Sequence, residues 1–307
     1  MNPADIMLMS GSKLGDLDIS PSLNVSATDS SCGAIVSGIN LTDDMSAEVA
    51  RSLITLANHS GLLIIRDQKD LGPDRQAEVT EHFGRIFERG SYGDRLPSVS
   101  SAPVTIIGAD GGVAGHAELY AHSDVQEYPC TPDFSILHGV EVPPVSAGGS
   151  THFANLYQAY DELSPATQER IAGLKQRPYN TPWTGYQAGV PEIRKQWDEH
   201  GFPPPDPEPW PVLHPVVRTH PITGRKALWV SVITDEIVGL TDLDEARRLT
   251  AELKDHVCHD HLFYRHDWAP HDVLIWDNRC VNHKRDAWDP SYPRVMHRSQ
   301  AGGARPF

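Results

Sequence analysis

From residue 103 onward, almost every apolar run in this chain is of strand length. The runs are PVTIIG (103–108), DFSILHGVEV (133–142), GGSTHFA (148–154), LHPVVRTHPITGRKALWV (213–230), HDVLIWDN (271–278) and RVMHRSQ (294–300). Short apolar stretches broken by Gly and Pro read as strands, and Thr223-Gly224 reads as the turn of a hairpin within 213–230. Many short strands must bury their faces against one another, so a β-sandwich or barrel core is expected. Helices are expected at the periphery. SAEVARSLITLANHSG (46–61) has Ser46 as N-cap and Gly61 as stop. Others are expected at 74–86 and 242–260, with short helical turns over 155–174 opened by Ser164-Pro165. GAIVSGINL (33–41) and LLIIRDQ (62–68) read as strands, the latter buried. The fold class is therefore mainly β with flanking helices.

No boundary divides the 307 residues, so a single domain, 1–307, is expected. Two segments stand apart. Residues 1–20 are weakly patterned and expected to be a loose tail. Residues 177–211 hold Pro178, Pro182, Pro191 and GFPPPDPEPWP, too proline-rich for regular structure, and read as a lid-like insertion. Its Trp183, Tyr186, Trp197 and Trp210 could close over a substrate or pin the segment to the body. A net charge of −15 repels nucleic acid and anionic membranes. No apolar run approaches the ~20 residues of a membrane span. The start lacks the basic and apolar regions of a secretory signal, and Cys32, Cys130, Cys258 and Cys280 are scattered, so a reduced, cytoplasmic protein is expected. An anionic small molecule could still bind, but only through a local cluster of arginines.

One constellation carries chemistry. In His122-Ser123-Asp124, residues i and i+2 of an extended segment point to the same side, so an imidazole and a carboxylate can converge on one cation. His283, far downstream, can supply a second imidazole. Two His and one carboxylate leave half of an octahedron open, which suits non-heme Fe(II). An HxD tripeptide alone is weak evidence in a chain with 16 His and 41 acidic residues. The ensemble is stronger: HSD, GGST (148–151), and His283 followed at +11 by Arg294 and at +15 by Arg298. An even separation puts the two arginines on one face of a returning strand, toward the interior. A guanidinium grips a carboxylate with two hydrogen bonds, so two such groups point to two anions. HVCHDHLFYRHDWAPH (256–271) tempts with zinc, but its spacings fit no zinc motif and a structural role is expected.

HSDV (122–125), GGST, LHPVVRTHPITGRKALWV and WDNR…H with PRVMHR together resemble the TauD/TfdA family of Fe(II)- and 2-oxoglutarate-dependent dioxygenases. The resemblance implies a double-stranded β-helix, or jelly-roll, core. It implies Fe(II), 2-oxoglutarate and O₂ as cofactor and cosubstrates, and oxidation of an aliphatic C–H of a small anionic substrate with release of succinate and CO₂. His122, Asp124 and His283 resemble the iron ligands. Thr151 and Arg294 resemble the residues holding the far carboxylate of 2-oxoglutarate. Arg298 resembles the arginine facing a substrate anion. Arg89 and Tyr92, with Val125 beside Asp124, complete the expected substrate side. The sulfonate-processing pattern is only partly kept: Arg89 stands where a His is usual, and Glu118 where an Asn is usual. A homo-oligomer, dimer or tetramer, is the state usual for such relatives. The residues alone leave two other readings open: a zinc-dependent hydrolase on the same three ligands, and a non-catalytic β-barrel binding a small acid.

Overall fold

The computed structural model describes residues 3–87, 103–107, 115–126, 130–178, 212–303 and 305–307. The described strands are β1 (Asn24–Ala27), β2 (Ala34–Ser37), β3 (Leu62–Ile65), β4 (Thr105–Ile107), β5 (Leu119–His122), β6 (Phe134–Glu141), β7 (Thr151–Asn155), β8 (Lys175–Pro178), β9 (His214–Pro215), β10 (Val217–Thr219), β11 (Lys226–Leu228), β12 (Thr234–Val238), β13 (Phe263–His266), β14 (Val273–Asp277), β15 (Val281–Arg285) and β16 (Val295–Ala301). The described α-helices are α1 (Ala47–Ser60), α2 (Pro73–His82), α3 (Leu156–Asp161), α4 (Pro165–Ile171) and α5 (Leu243–His256).

Two sheets form the core. One runs β1-β2-β3-β14-β6-β16-β4 and the other β13-β7-β15-β5. Along the chain, β5, β6 and β7 alternate between them, as do β13, β14, β15 and β16. This alternation, with antiparallel neighbours, winds the chain into a jelly roll. Residues of strand period two explain the packing. Leu62 and Ile64 of β3, with Leu274 and Trp276 of β14, join one buried cluster that also holds Phe153 and Val281 of the smaller sheet. Leu63, Ile65, Val273 and Ile275 join a second cluster with Leu53 and Leu56 of α1. The large sheet is thus buried on both faces, which is why its central strands read as continuous apolar runs. Phe153 and Trp276 meet across the sandwich with ring centroids 5.6 Å apart.

Local signals set the flanks. The Ser46 side chain accepts from the Val49 amide, and Gly61 ends α1 at φ 72°. The hairpin of β10 and β11 encloses Thr223-Gly224. The α2 segment stops at His82 rather than running to 86, and α5 ends at His256 rather than 260. Residues 3–20, expected to be loose, are instead packed: Ile6, Leu8, Met9 and Leu14 are buried. The Ser10 amide bonds to the His59 carbonyl, and Arg225 donates to the Met9 carbonyl. Four apolar side chains against the sheet and α1 outweigh the weak local patterning there. Of the proposed insertion, 177–178 belong to β8, and 179–211 lie outside the described residues.

His138 of β6 is 2 % exposed and faces His297 of β16 in the ladder, with His271 alongside. Among the described residues, neither of its ring nitrogens has a hydrogen-bond partner. Burial, then His297 and His271, pull it from 6.5 to about 4. The folded state therefore holds fewer protons there than the unfolded chain between pH 6.5 and about 4. Stability is expected to fall as pH drops through that window, by up to ~1.4 kcal/mol per pH unit from this group. Denaturant midpoints against pH check it: H138N should flatten the slope, and an unchanged slope would remove His138 as its source.

Candidate metal centre

The two sheets bring the distant ligands together. Strand β5 pairs antiparallel with β15, and His122 lies directly opposite His283. Their rings are 4.3 Å apart. Asp124 follows in the turn after β5, buried, with Oδ1 3.9 Å from the Nε2 atoms of both His122 and His283. The three donor atoms lie within 4.8 Å of one another. His122 Nδ1 donates to the Tyr120 carbonyl at 2.7 Å, so its Nε2 keeps a lone pair for a cation. The His283 ring rests between Trp276 and Phe153, at 4.8 and 6.2 Å.

The carboxylate is held from behind. Ser135 Oγ and Gln300 Nε2 donate to Asp124 Oδ2 at 2.6 and 3.1 Å. Asn278 Oδ1 accepts from the Asp124 amide and from Trp276 Nε1, while its own amide donates to Ser135 Oγ. Oδ1 is left facing the imidazoles, with Arg298 Nη1 at 3.5 Å. Burial alone would push the Asp124 carboxyl up, but His283, Arg298, His122 and the Ser135 hydroxyl together hold it well below the ordinary carboxylate range. Burial, then His122, lowers His283 to about 3 against the pull of Asp124. Near neutral pH the site thus offers one carboxylate and a neutral His283 imidazole, a donor set that fits a divalent iron or manganese ion.

Beside the His122, Asp124 and His283 group, the Gly148-Gly149 turn precedes Thr151, and Arg294 Nε lies 3.7 Å from where a Gly149 Cβ would stand. Gly148 and Gly149 sit at φ 85° and 86°, and a Cβ on Gly148 would fall 2.3 Å from the Ala287 carbonyl oxygen. Only glycine lets this turn lie against 287–288. Thr151 follows at the start of β7, and its Oγ1 accepts from Trp268 Nε1 at 2.9 Å. That bond leaves the Thr151 proton free to donate to a ligand. Arg294 is buried against the Trp288 ring, 5.3 Å from its centroid, and its Nε has no hydrogen-bond partner among the described residues. Burial, then Arg285, pulls its guanidinium down to about 9.

The structure thus gathers His122, Asp124, His283 and Arg298 at one point, and sets Arg294 beside Gly149, two residues before Thr151. Arg294 and Arg298 come from β16 and its entry, in the sheet opposite His283. Val125 is buried beside Asp124 at φ 58°, an unusual backbone for a β-branched residue. Arg89 and Tyr92 lie outside the described residues. Sequence reasoning missed Ser135, Asn278, Gln300 and Trp268. The one available signal was Gln300, two residues past Arg298 and so on its face of β16. The histidines of 256–271 scatter as expected: His256 meets the Ala159 carbonyl, His261 meets Glu162, and His266 lies by Asp272. A second cluster, His220, Asp277 and Cys280, is closed by Arg279, which bonds both Asp277 oxygens.

A jelly roll offering a cation two imidazoles and a carboxylate is the architecture of the 2-oxoglutarate-dependent non-heme iron dioxygenases. The family model described as taurine catabolism dioxygenase TauD, TfdA family matches residues 23–300, and the chain belongs to that family. It is similar to an (S)-phenoxypropionate/alpha-ketoglutarate-dioxygenase of Sphingobium herbicidovorans, 30 % identical over 93 % of this chain and 96 % of the relative. Among solved structures, a taurine dioxygenase from Burkholderia xenovorans superposes with TM-score 0.73 at 25 % identity, covering 93 % and 91 % of the two chains. AAD-2 in complex with Mn(II) and N-oxalylglycine superposes with TM-score 0.71 at 26 % identity, covering 92 % and 98 %. The chain is accordingly an oxidoreductase that uses Fe(II), 2-oxoglutarate and O₂ to oxidise a small organic substrate. Among the described residues no helix is long and apolar enough to cross a membrane.

Groups behind a ligating carboxylate typically contribute 10- to 100-fold to metal affinity. S135A is expected to raise the Mn(II) dissociation constant by about 10-fold. Calorimetric titration checks this, and an unchanged constant would show that Ser135 does not orient Asp124.

Proposed function

We propose that His122, Asp124 and His283 hold the iron, and that Thr151 and Arg294 hold the far carboxylate of 2-oxoglutarate. The single observation that carries this reading is the convergence of three donor atoms from two distant stretches of sequence within 4.8 Å. With iron and cosubstrate bound, the centre activates O₂ and oxidises an aliphatic C–H of the substrate as 2-oxoglutarate is converted to succinate and CO₂.

The chain's own groups do the placing. Ser135 and Gln300 keep Asp124 turned, and the Tyr120 carbonyl keeps His122 turned. Arg294 and Thr151 fix the cosubstrate's far end, so that its other end meets the metal ligands in one orientation. Phe153 and Trp276 back His283 and keep water from that side. Arg298, beside Asp124, takes the acid group of the substrate, with Val125 against its apolar part; Arg89 and Tyr92 are assigned to substrate from the sequence alone. The substrate is a small organic acid. The phenoxypropionate and taurine named for the relatives, both small acids, support this class. The protein acts in the cytoplasm, consistent with free Cys32, Cys130, Cys258 and Cys280, and as a homo-oligomer.

The test is succinate formed from 2-oxoglutarate by the Fe(II)-loaded protein across a panel of small acids. H122A is expected to lose turnover, and R294Q to raise the KM for 2-oxoglutarate roughly 10- to 100-fold, the size of a charge-assisted bond. Full turnover by H122A would overturn the assignment. Activity that persists under nitrogen with Zn²⁺ would mark a hydrolase instead.

A further inference from the structure

We propose that Arg285 is a second cation of the pocket that receives the far carboxylate of 2-oxoglutarate, a positioning residue that acts together with Thr151 and Arg294. The proposal rests on the cosubstrate site assigned above. It starts from the register of the smaller sheet. Arg285 is two residues past His283 on β15, so its side chain leaves the same face of the sheet. In the ladder it lies directly opposite Thr151 of β7. Side chains directly opposite on one face are close neighbours. Thr151 is therefore flanked by Arg285 from its own sheet, while Arg294 reaches in ahead of β16.

The two guanidiniums share one aromatic surface. Arg285 lies 4.4 Å from the Trp288 centroid and Arg294 lies 5.3 Å from it. Both residues are buried, at 4 % and 3 % exposure, and the Nε atom of each lacks a hydrogen-bond partner. Among the described residues, neither has a carboxylate within ion-pair distance. Arg285 Nη2 donates to the carbonyls of Gly115 and Ala117. Those neutral acceptors orient the side chain but do not cancel its charge. Two buried like charges without a counter-ion are unfavourable, and an anion entering between them and Thr151 relieves both. The competing role for Arg285 is a structural clamp on residues 115–117, which lead into β5 and His122.

Salt and charge separate the two roles. The experiment uses the full chain loaded with Mn(II) and measures N-oxalylglycine binding by calorimetry at low and high ionic strength, with Mn(II) affinity measured alongside. R285Q is expected to bind N-oxalylglycine roughly 10-fold more weakly at low salt, with the gap to wild type narrowing as salt screens the lost charge. Its Mn(II) affinity should match wild type. R285K keeps the charge on a shorter side chain that does not reach the Gly115 and Ala117 carbonyls, and is expected to stay within about threefold of wild type. Because it preserves the cation, it also carries the test if R285Q does not fold. Unchanged N-oxalylglycine binding in R285Q overturns the proposal. So does a parallel loss of Mn(II) affinity, or an R285K as weak as R285Q, either of which marks a clamp. A different failure points elsewhere: wild type that does not bind N-oxalylglycine, or R294Q that binds it as tightly as wild type, overturns the cosubstrate site itself.

Discussion

A carboxylate taken out of water is costly unless its charge is answered on every side, and Asp124 is almost fully buried. Ser135 and Gln300 answer one oxygen, and Asn278 fixes the backbone at the same residue. The remaining oxygen is turned toward His122, His283 and Arg298. Three of these groups, Ser135, Gln300 and Arg298, belong to the large sheet, whereas both histidines belong to the small one. The orientation of Asp124 toward the two histidines is therefore set by the packing of one sheet on the other.

The winding of the chain explains how few strands serve so many roles. One face of β15 carries His283 and, two residues on, Arg285. Strand β7 sets Phe153 behind the first and Thr151 opposite the second. A two-residue step along a strand is roughly 6–7 Å. The metal end and the anion end are thus neighbouring rungs of one ladder. Strand β16 repeats the step on the opposite wall with Arg298 and Gln300, and Arg294 precedes it. On the proposed assignment, cosubstrate and substrate anions would be met by arginines spaced along the chain by strand geometry, with Thr151 following the glycine pair at 148–149.

Much of this was legible in the sequence because it depends on residue type and parity. His122, Asp124 and His283 are identified by donor chemistry; of the two arginines expected on one returning strand, Arg298 lies in β16 and Arg294 just before it. Ser46 and Gly61 mark α1 because capping is local. Other features were not legible because they depend on which strands face each other. Ser135, Asn278 and Gln300 are ordinary polar residues until the sheets are stacked. Arg285 sits in VNHKR, a polar strand that resembles surface. Residues 3–20 lack periodicity, and their burial comes from contacts with α1 and the 220s hairpin rather than from any local pattern.

The central claim is that one cation sits between His122 Nε2, Asp124 Oδ1 and His283 Nε2. Anomalous diffraction from crystals grown with Mn(II) under anaerobic conditions tests it most directly. The account predicts a single strong manganese peak at bonding distance from all three atoms. A peak elsewhere in the chain, or none with those side chains ordered and turned apart, would contradict it.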